Sequence, residues 1–340
     1  MKPFAFAHGN DWRRSISSLG RPGRGLGFVY FTDALVEDSN EILETLRGET
    51  GVKDWIGTVG TGVLATGTEY QDEPAMAAMV ADFDSFAVFS GRAPLRTLGN
   101  FAVVHADPAA PDVPGLVADM STKVSSGYLV GGISSSRSRT VQIANEVLSG
   151  GLSGAVLGEE VAVATRLTQG CTPFPGRFRV TECEENIIAS LDGRPALDVL
   201  REVIGTEKVS ILVGLPVPGS DTGDYTARNL VGIDPKNKLI AIGDLVEPGM
   251  DILFCKRDSA AAQADLSRIL QEVKAAAPAP RGALYFSCVA RGEHMFGSRG
   301  AELSLIRQAL GEVPLVGFFC NGEISRDRLY GYTGVLTVFR

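Results

Sequence analysis

Leu315-Val316-Gly317-Phe318-Phe319-Cys320-Asn321-Gly322-Glu323-Ile324 reads as a buried strand that runs into a loop with an open backbone. Two large apolar residues precede a glycine, and a second glycine follows five positions later. Trp55-Ile56-Gly57-Thr58-Val59-Gly60-Thr61-Gly62 has the same layout toward the other end of the chain. The match extends upstream, where Val29-Tyr30-Phe31-Thr32 parallels Leu284-Tyr285-Phe286-Ser287. We read the two stretches as a duplication. Leu129-Val130-Gly131 and Leu212-Val213-Gly214 are looser copies, of a kind any helix-to-strand junction also produces. The expected fold is α/β, with mixed sheets, helices on them, and two similar halves related by a pseudo-two-fold duplication.

Short apolar runs alternate with helical stripes along the chain. Strands are expected at Leu26 to Phe31, Ile56 to Val59, Ala77 to Val80, Tyr128 to Val130, Lys238 to Ile242, Ala283 to Ser287 and Val335 to Phe339. Helices are expected at Asn40 to Leu46, Val113 to Val124, Ala196 to Ile204 behind Pro195, Ser259 to Ala277 and Ala301 to Leu310. Gln169 to Arg179, with two glycines and two prolines, reads as an irregular loop. Arg13, Arg14, Arg21 and Arg24 lie in a segment broken by Pro22 and several glycines, which reads as an exposed arm.

A length of 340 residues fits about two domains. The net charge is −8 and no Lys/Arg block occurs, which argues against nucleic acid and against an anionic membrane surface as partners. No apolar run approaches a membrane span, and Met1 to Asn10 lack a signal-peptide layout. Five cysteines without a CxxC spacing, and only three histidines, point away from a disulfide framework and from a metal centre. The expectation is a cytoplasmic protein in a reducing compartment, with no metal and no cofactor.

Four groups of residues carry chemistry. Gly60-Thr61-Gly62-Val63-Leu64-Ala65 fits a loose dinucleotide pattern, but Thr66-Gly67-Thr68 is a poor helix start, so a strand-to-strand connection is expected there. Gly131-Gly132 with Ser134, Ser135, Ser136, Arg137 and Arg139 forms either an anion cradle or a Ser-rich loop. Cys171, Cys288 and Cys320 each stand where a strand meets a loop, and Cys288 has Arg291 and His294 nearby. A nucleophilic thiolate needs such a positive field, whereas a buried cysteine without one is only a small hydrophobe. Glu323 and Glu69 follow the late and early glycine turns. They suit acid–base work, an amine ligand, or plain hydrogen bonding to loop N–H groups.

The ordered motifs resemble the FIST family of sensory domains. The resemblance is carried by Leu26-Gly27-Phe28-Val29-Tyr30, Trp55-Ile56-Gly57 and Glu69 in the first part. Gly131-Gly132, Gln169-Gly170-Cys171-Thr172-Pro173, Val180-Thr181 and Leu191-Asp192-Gly193-Arg194-Pro195-Ala196-Leu197 carry it in the middle. Phe286-Ser287-Cys288-Val289-Ala290-Arg291-Gly292 and Gly317 to Ile324 carry it at the end. The resemblance implies a FIST N-terminal domain over 25–205, a FIST C-terminal domain over 206–340, and a small ligand, with amino acids as a proposed class. Such domains are often joined to signalling modules, and this chain has no length left for one, so the expected sensor acts through a separate partner. The expected ligand-binding set is Gly131, Gly132, Gly170, Cys171, Cys288, Arg291, Cys320, Asn321, Gly322 and Glu323, converging between the halves. Backbone N–H groups and Arg291 would take a carboxylate, and Glu323 or Glu69 an amine. The alternatives are a Cys-dependent hydrolase or transferase built on Cys288, and a protein-interaction platform.

Overall fold

The computed structural model describes residues 4–91, 99–207, 209–217 and 224–340. The chain is an α/β protein of mixed sheets with helices packed on them. It forms two compact units, one of residues 1–169 with 263–340 and one of residues 170–262.

The first segment runs β1 (Ala5–Gly9), α1 (Trp12–Ser18), β2 (Leu26–Thr32), α2 (Ser39–Thr50), β3 (Asp54–Gly60), the hairpin β4 (Gly62–Ala65) and β5 (Thr68–Gln71), and β6 (Met76–Ala81). The expected exposed arm is corrected over Trp12–Ser18, which forms a helix, while Arg13, Arg14, Arg21 and Arg24 are exposed as expected. Asp11 caps α1 by accepting the Arg14 N–H at 3.1 Å, and Trp12 and Ile16 bury against the sheet. Pro22 follows the end of the helix and does not break it. The strand-to-strand connection expected at Gly60–Gly62 is present.

A second segment repeats the strand order as β7 (Phe86–Phe89), β8 (Gly99–Ala106), α3 (Val113–Ser121), β9 (Val124–Ile133), the hairpin β10 (Gln142–Ala144) and β11 (Val147–Leu148), and β12 (Leu152–Leu157), with no counterpart of α1 among the described residues. The third begins with β13 (Val163–Gln169), after which the chain builds the second unit.

That unit holds β14 (Cys171–Pro173), β15 (Phe178–Glu184), β16 (Ile187–Leu191), β17 (Arg194–Pro195), α4 (Ala196–Ile204), β18 (Ile211–Pro216), β19 (Tyr225–Asp234), β20 (Leu239–Ile242) and β21 (Asp251–Arg257). The loop expected at Gln169 to Arg179 thus contains a short strand, held by pairing to β21. Pairings β21–β15–β16–β20–β19–β18–β21 are all antiparallel and close a barrel, which leaves none of these six strands as an edge. Val180, Ile188, Val213, Ile240 and Phe254 fill it together with Leu197 and Leu200 of α4.

Helix α5 (Ser259–Ala276) leads out of the barrel unit. The third segment then completes itself as β22 (Gly282–Cys288), α6 (Glu293–Phe296), α7 (Ala301–Leu310), β23 (Leu315–Cys320), the hairpin β24 (Glu323–Ser325) and β25 (Arg328–Tyr330), and β26 (Thr333–Phe339).

The duplication between the first and last segments is present, and the middle segment is a third copy. The upstream match is corrected by one residue. The crossing glycines pair Val29 with Gly57 and Tyr285 with Gly317, so Val29-Tyr30-Phe31-Thr32 corresponds to Tyr285-Phe286-Ser287-Cys288 and not to Leu284-Tyr285-Phe286-Ser287. Each contains one parallel pair, β2 with β3, β8 with β9, or β22 with β23. In each pair the repeated glycine passes under a carbonyl of the neighbouring strand. A Cβ on Gly57, Gly131 or Gly317 would stand 1.7 Å from the oxygen of Val29, Val104 or Tyr285. Only glycine permits that approach. Gly214 differs, because β18 pairs antiparallel on both sides and the obstruction there is the Leu253 side chain.

The three hairpins are exchanged in a cycle. Hairpin β4–β5 joins β23, β24–β25 joins β9, and β10–β11 joins β3. Each parallel strand pair is thereby completed by a hairpin from another repeat. The equivalent residues Tyr30, His105 and Phe286 meet at the centre, with ring centroids 5.5, 6.0 and 6.4 Å apart. Among the described residues no helix is long and apolar enough to cross a membrane.

Candidate functional site

The site forms where β22 and β23 end side by side. Cys288 lies directly opposite Cys320 in the parallel register. The chain then turns through Asn321 and Gly322, and β24 pairs with β9 so that Glu323 faces Gly132 and Ile324 faces Gly131. Gly132 has a specific reason to lack a side chain, since a Cβ there would sit 2.3 Å from the Cys320 Sγ. The Ile133 N–H donates to the Gly322 carbonyl at 2.9 Å, and the Asn321 N–H donates to the Ile133 carbonyl at 3.0 Å. The structure therefore brings together Gly131, Gly132, Cys288, Cys320, Asn321, Gly322 and Glu323. Asn321 presents its side chain to solvent, while Cys320 and Glu323 are wholly buried.

Arg291 enters from the turn after β22, where its N–H donates to the Cys288 carbonyl at 2.8 Å. Its side chain is fully buried and folds onto Glu302 of α7, donating from Nε at 2.8 Å and Nη2 at 2.6 Å to one carboxylate oxygen. The Tyr285 hydroxyl donates to the same oxygen at 2.5 Å, and the Ser287 hydroxyl to the other at 3.0 Å. The Phe296 ring lies 5.1 Å from the guanidinium carbon. Burial works against the Arg291 charge, but Glu302 and Tyr285 outweigh it and hold the guanidinium protonated. Glu302 and Tyr285 were not among the expected site residues. Their only sequence signals, a carboxylate in the first turn of a helix and a tyrosine in an apolar strand, are ordinary ones.

Glu323 anchors one carboxyl oxygen on Thr333, which donates from its N–H at 3.1 Å and its hydroxyl at 2.7 Å. The other oxygen, Oε1, has no nitrogen or oxygen donor. Burial pushes this carboxyl up to about 8, against the opposing pull of Thr333 and Arg291. Burial and the neighbouring Glu323 push Cys288 up to about 12, and raise Cys320 well above its usual range. These shifts run opposite to those of an activated thiolate.

Glu69 does not join Glu323 as a paired carboxylate. It lies in the row Glu69–Leu64–Gly317–Tyr285 across four strands, on the face that carries Glu302. Burial, with Glu302 and Glu293 adding to it, pushes it up to about 7, while Arg299 and the Gly300 N–H oppose. Neither of its oxygens has a hydrogen bond of good geometry.

Gly170 and Cys171 belong to the second unit. The Gly170 carbonyl accepts from the Asp258 N–H at 3.1 Å, the Cys171 carbonyl accepts from the Tyr225 hydroxyl at 2.9 Å, and the free thiols of Cys171 and Cys255 share a hydrogen bond. The Ser-rich stretch is engaged internally. Ser134 bonds Thr58 at 2.6 Å and the Ala106 carbonyl at 3.0 Å, Ser135 donates to the Phe319 carbonyl, and Arg137 makes a bidentate pair with Asp33. Among the described residues no cluster of three or more His, Cys, Asp or Glu side chains is arranged to hold a metal ion.

The three repeats allow the same location to be compared within one chain. Thr32, Asp107 and Cys288 are equivalent. Thr32 donates to the Glu73 carbonyl at 2.8 Å and accepts from the Ala75 N–H at 3.0 Å. Asp107 accepts from the N–H groups of Ala109 and Gly150 at 2.9 and 2.7 Å. Those two positions are satisfied locally. Only the third is surrounded by thiols, a buried carboxyl and a buried guanidinium, and there Arg291 Nη1 lacks a partner and Glu323 Oε1 lacks a nitrogen or oxygen donor, with the Cys288 thiol beside the carboxyl.

With this fold and this cluster, the chain belongs to the FIST family. Residues 25–194 match the FIST N domain and residues 196–326 the FIST C domain. Domains of this family are generally sensory. The boundary between the two matches falls at Pro195, inside the barrel unit, so the FIST C match contributes to both compact units. The chain is similar to an uncharacterized protein of Mycobacterium tuberculosis, at 33% identity over 92% of this chain and 90% of that protein. It is also similar to an uncharacterized protein of Mycobacterium bovis, at 30% identity over 84% of this chain and 82% of the relative.

Proposed function

We propose that this protein is a cytoplasmic small-molecule-binding sensor, with an amino acid or related metabolite as the ligand class, acting through a separate partner. The observation that carries this reading is that Arg291 Nη1 has no partner and Glu323 Oε1 has no nitrogen or oxygen donor, both buried in one cluster with the Cys288 thiol. A buried donor and a buried acceptor left unpaired each cost about 1–3 kcal/mol, and a ligand bonding to both recovers that cost. The Phe296 ring of α6 packs on the Arg291 guanidinium, and the segment 292–300 that carries it is rich in glycine. Gly292, Gly297 and Gly300 there hold φ values of 56°, 85° and 75°, bracketing the short α6. The raised thiols weigh for binding and against Cys288 as a nucleophile.

The test is thermal unfolding of ligand-free protein against amino acids and related metabolites. A ligand at a hundred times its Kd adds about 2.7 kcal/mol. Arg291→Met should abolish the shift produced by any hit that carries a carboxylate. A panel in which no compound raises the Tm refutes the reading for that class.

A further inference from the structure

We propose that Glu323 is the specificity-determining group of this site and that it selects a small organic cation, a protonated amine or guanidine. The inference rests on the small-ligand reading above and goes on to fix the ligand's charge.

The first support is the internal comparison. Val63, Gln142 and Glu323 are equivalent, since each is the residue of its exchanged hairpin that pairs opposite the residue following the repeated glycine, namely Phe318, Thr58 and Gly132. All three are wholly buried. The fold thus accepts an apolar side chain in one repeat and a neutral amide in the next. An ionisable carboxyl is not needed to build this position, and burying one is costly unless it is paired.

The second support is the charge balance around it. The groups facing Glu323 are the Cys288 thiol from β22, the Cys320 thiol from β23, Thr333 from β26 and the Arg291 guanidinium, while β9 presents Gly132 without a side chain. Arg291 already commits Nε and Nη2 to Glu302. Two carboxyls therefore share one guanidinium, and with both ionised the cluster lacks one positive charge. An entering cation supplies it and bonds to Oε1. The Glu323 proton then leaves to solvent, one for each cation bound, with no other chemical change.

The experiment uses matched probes on the full chain. L-alanine, L-leucine and L-phenylalanine are compared with ethylamine, isoamylamine and phenethylamine, and with propionate, 4-methylpentanoate and 3-phenylpropionate. The expected result is binding by amines and amino acids but not by the acids, weakened at least about tenfold by Glu323→Gln. Affinity for the amine should rise about tenfold per pH unit and level off above about 8. Binding by the acids alone, or an amine affinity indifferent to both pH and Glu323→Gln, overturns the proposal and leaves the small-ligand reading standing. If none of the probes and no metabolite of the wider panel binds, both fall. Should Glu323→Gln fail to fold, the pH series on the unaltered protein decides alone.

Discussion

Arg291 and Glu302 form a buried ion pair at 2.6 Å with neither side chain exposed to solvent, and the pair is tied to the sheet by the hydroxyls of Tyr285 and Ser287. Removing one partner strands the other charge. Arg291→Ala or Glu302→Ala should each cost about 3–5 kcal/mol in urea unfolding, while Arg291→Met with Glu302→Leu should cost clearly less than the sum. Additive losses in the double variant would show that the two residues do not act as a pair.

The buried carboxyls set a pH dependence. Folded Glu323 keeps its proton up to about 8, and the unfolded chain releases it near 4.5. Glu69 behaves the same way between 4.5 and about 7. The folded state then binds more protons than the unfolded one, so this contribution is complete below 4.5 and is lost as pH rises through 7 to 8. Stability should decline across that window, and Glu323→Gln should flatten the decline. A urea midpoint that instead rises between pH 5 and 8, with no change of slope in the variant, would contradict it.

The crossing glycines should respond very differently from an ordinary one. Gly317→Ala places a methyl 1.7 Å from the Tyr285 carbonyl oxygen, and a loss of at least about 3 kcal/mol is expected. Gly48 lies in α2 with nothing within 4 Å of a Cβ, so Gly48→Ala should stabilise by about 0.5–1 kcal/mol. Thermal unfolding of the two variants checks both signs.

Cysteine labelling separates binding from nucleophilic catalysis. Cys171, Cys255, Cys288 and Cys320 are buried and Cys183 is half-buried. At neutral pH Cys183 should react first and Cys288 only slowly, with all five reacting once the chain is unfolded. A single fast thiol identified as Cys288 by peptide mapping would revive the hydrolase or transferase alternative.

Much of this organisation is readable from the residues. The strand at Leu315 ends in a glycine turn whose copy at Ile56 ends a strand in an equivalent parallel pairing, and Ser259–Ala276 carries its apolar stripe at helical spacing. Cys288, Arg291, Cys320 and Glu323 were all expected in the site. Of the middle repeat the residues show only Tyr128 to Val130 and the copy Leu129-Val130-Gly131, which by itself is not distinguishable from an ordinary helix-to-strand junction; the partner strand Gly99–Ala106 supplies what is missing. The glycine position of this repeat is conventional, but its turn is Ser-rich where the others carry Gly-x-Gly or Cys-Asn-Gly. Trp12 and Ile16 leave little trace in the sequence, because a helix of seven residues between glycines has almost no periodicity.

By itself, the sequence determined the local elements, the glycine crossings and the residue types gathered at the third crossing, since these depend on steric limits and periodicities within a few residues. Only the tertiary structure decided which hairpin completes which sheet. That exchange sets Glu323 beside Gly132, 191 positions away along the chain, and matches it with Gln142 and Val63. Only the structure placed Glu302 on Arg291, because both charges are buried together by the packing of α7 on β22 and no local pattern records that choice.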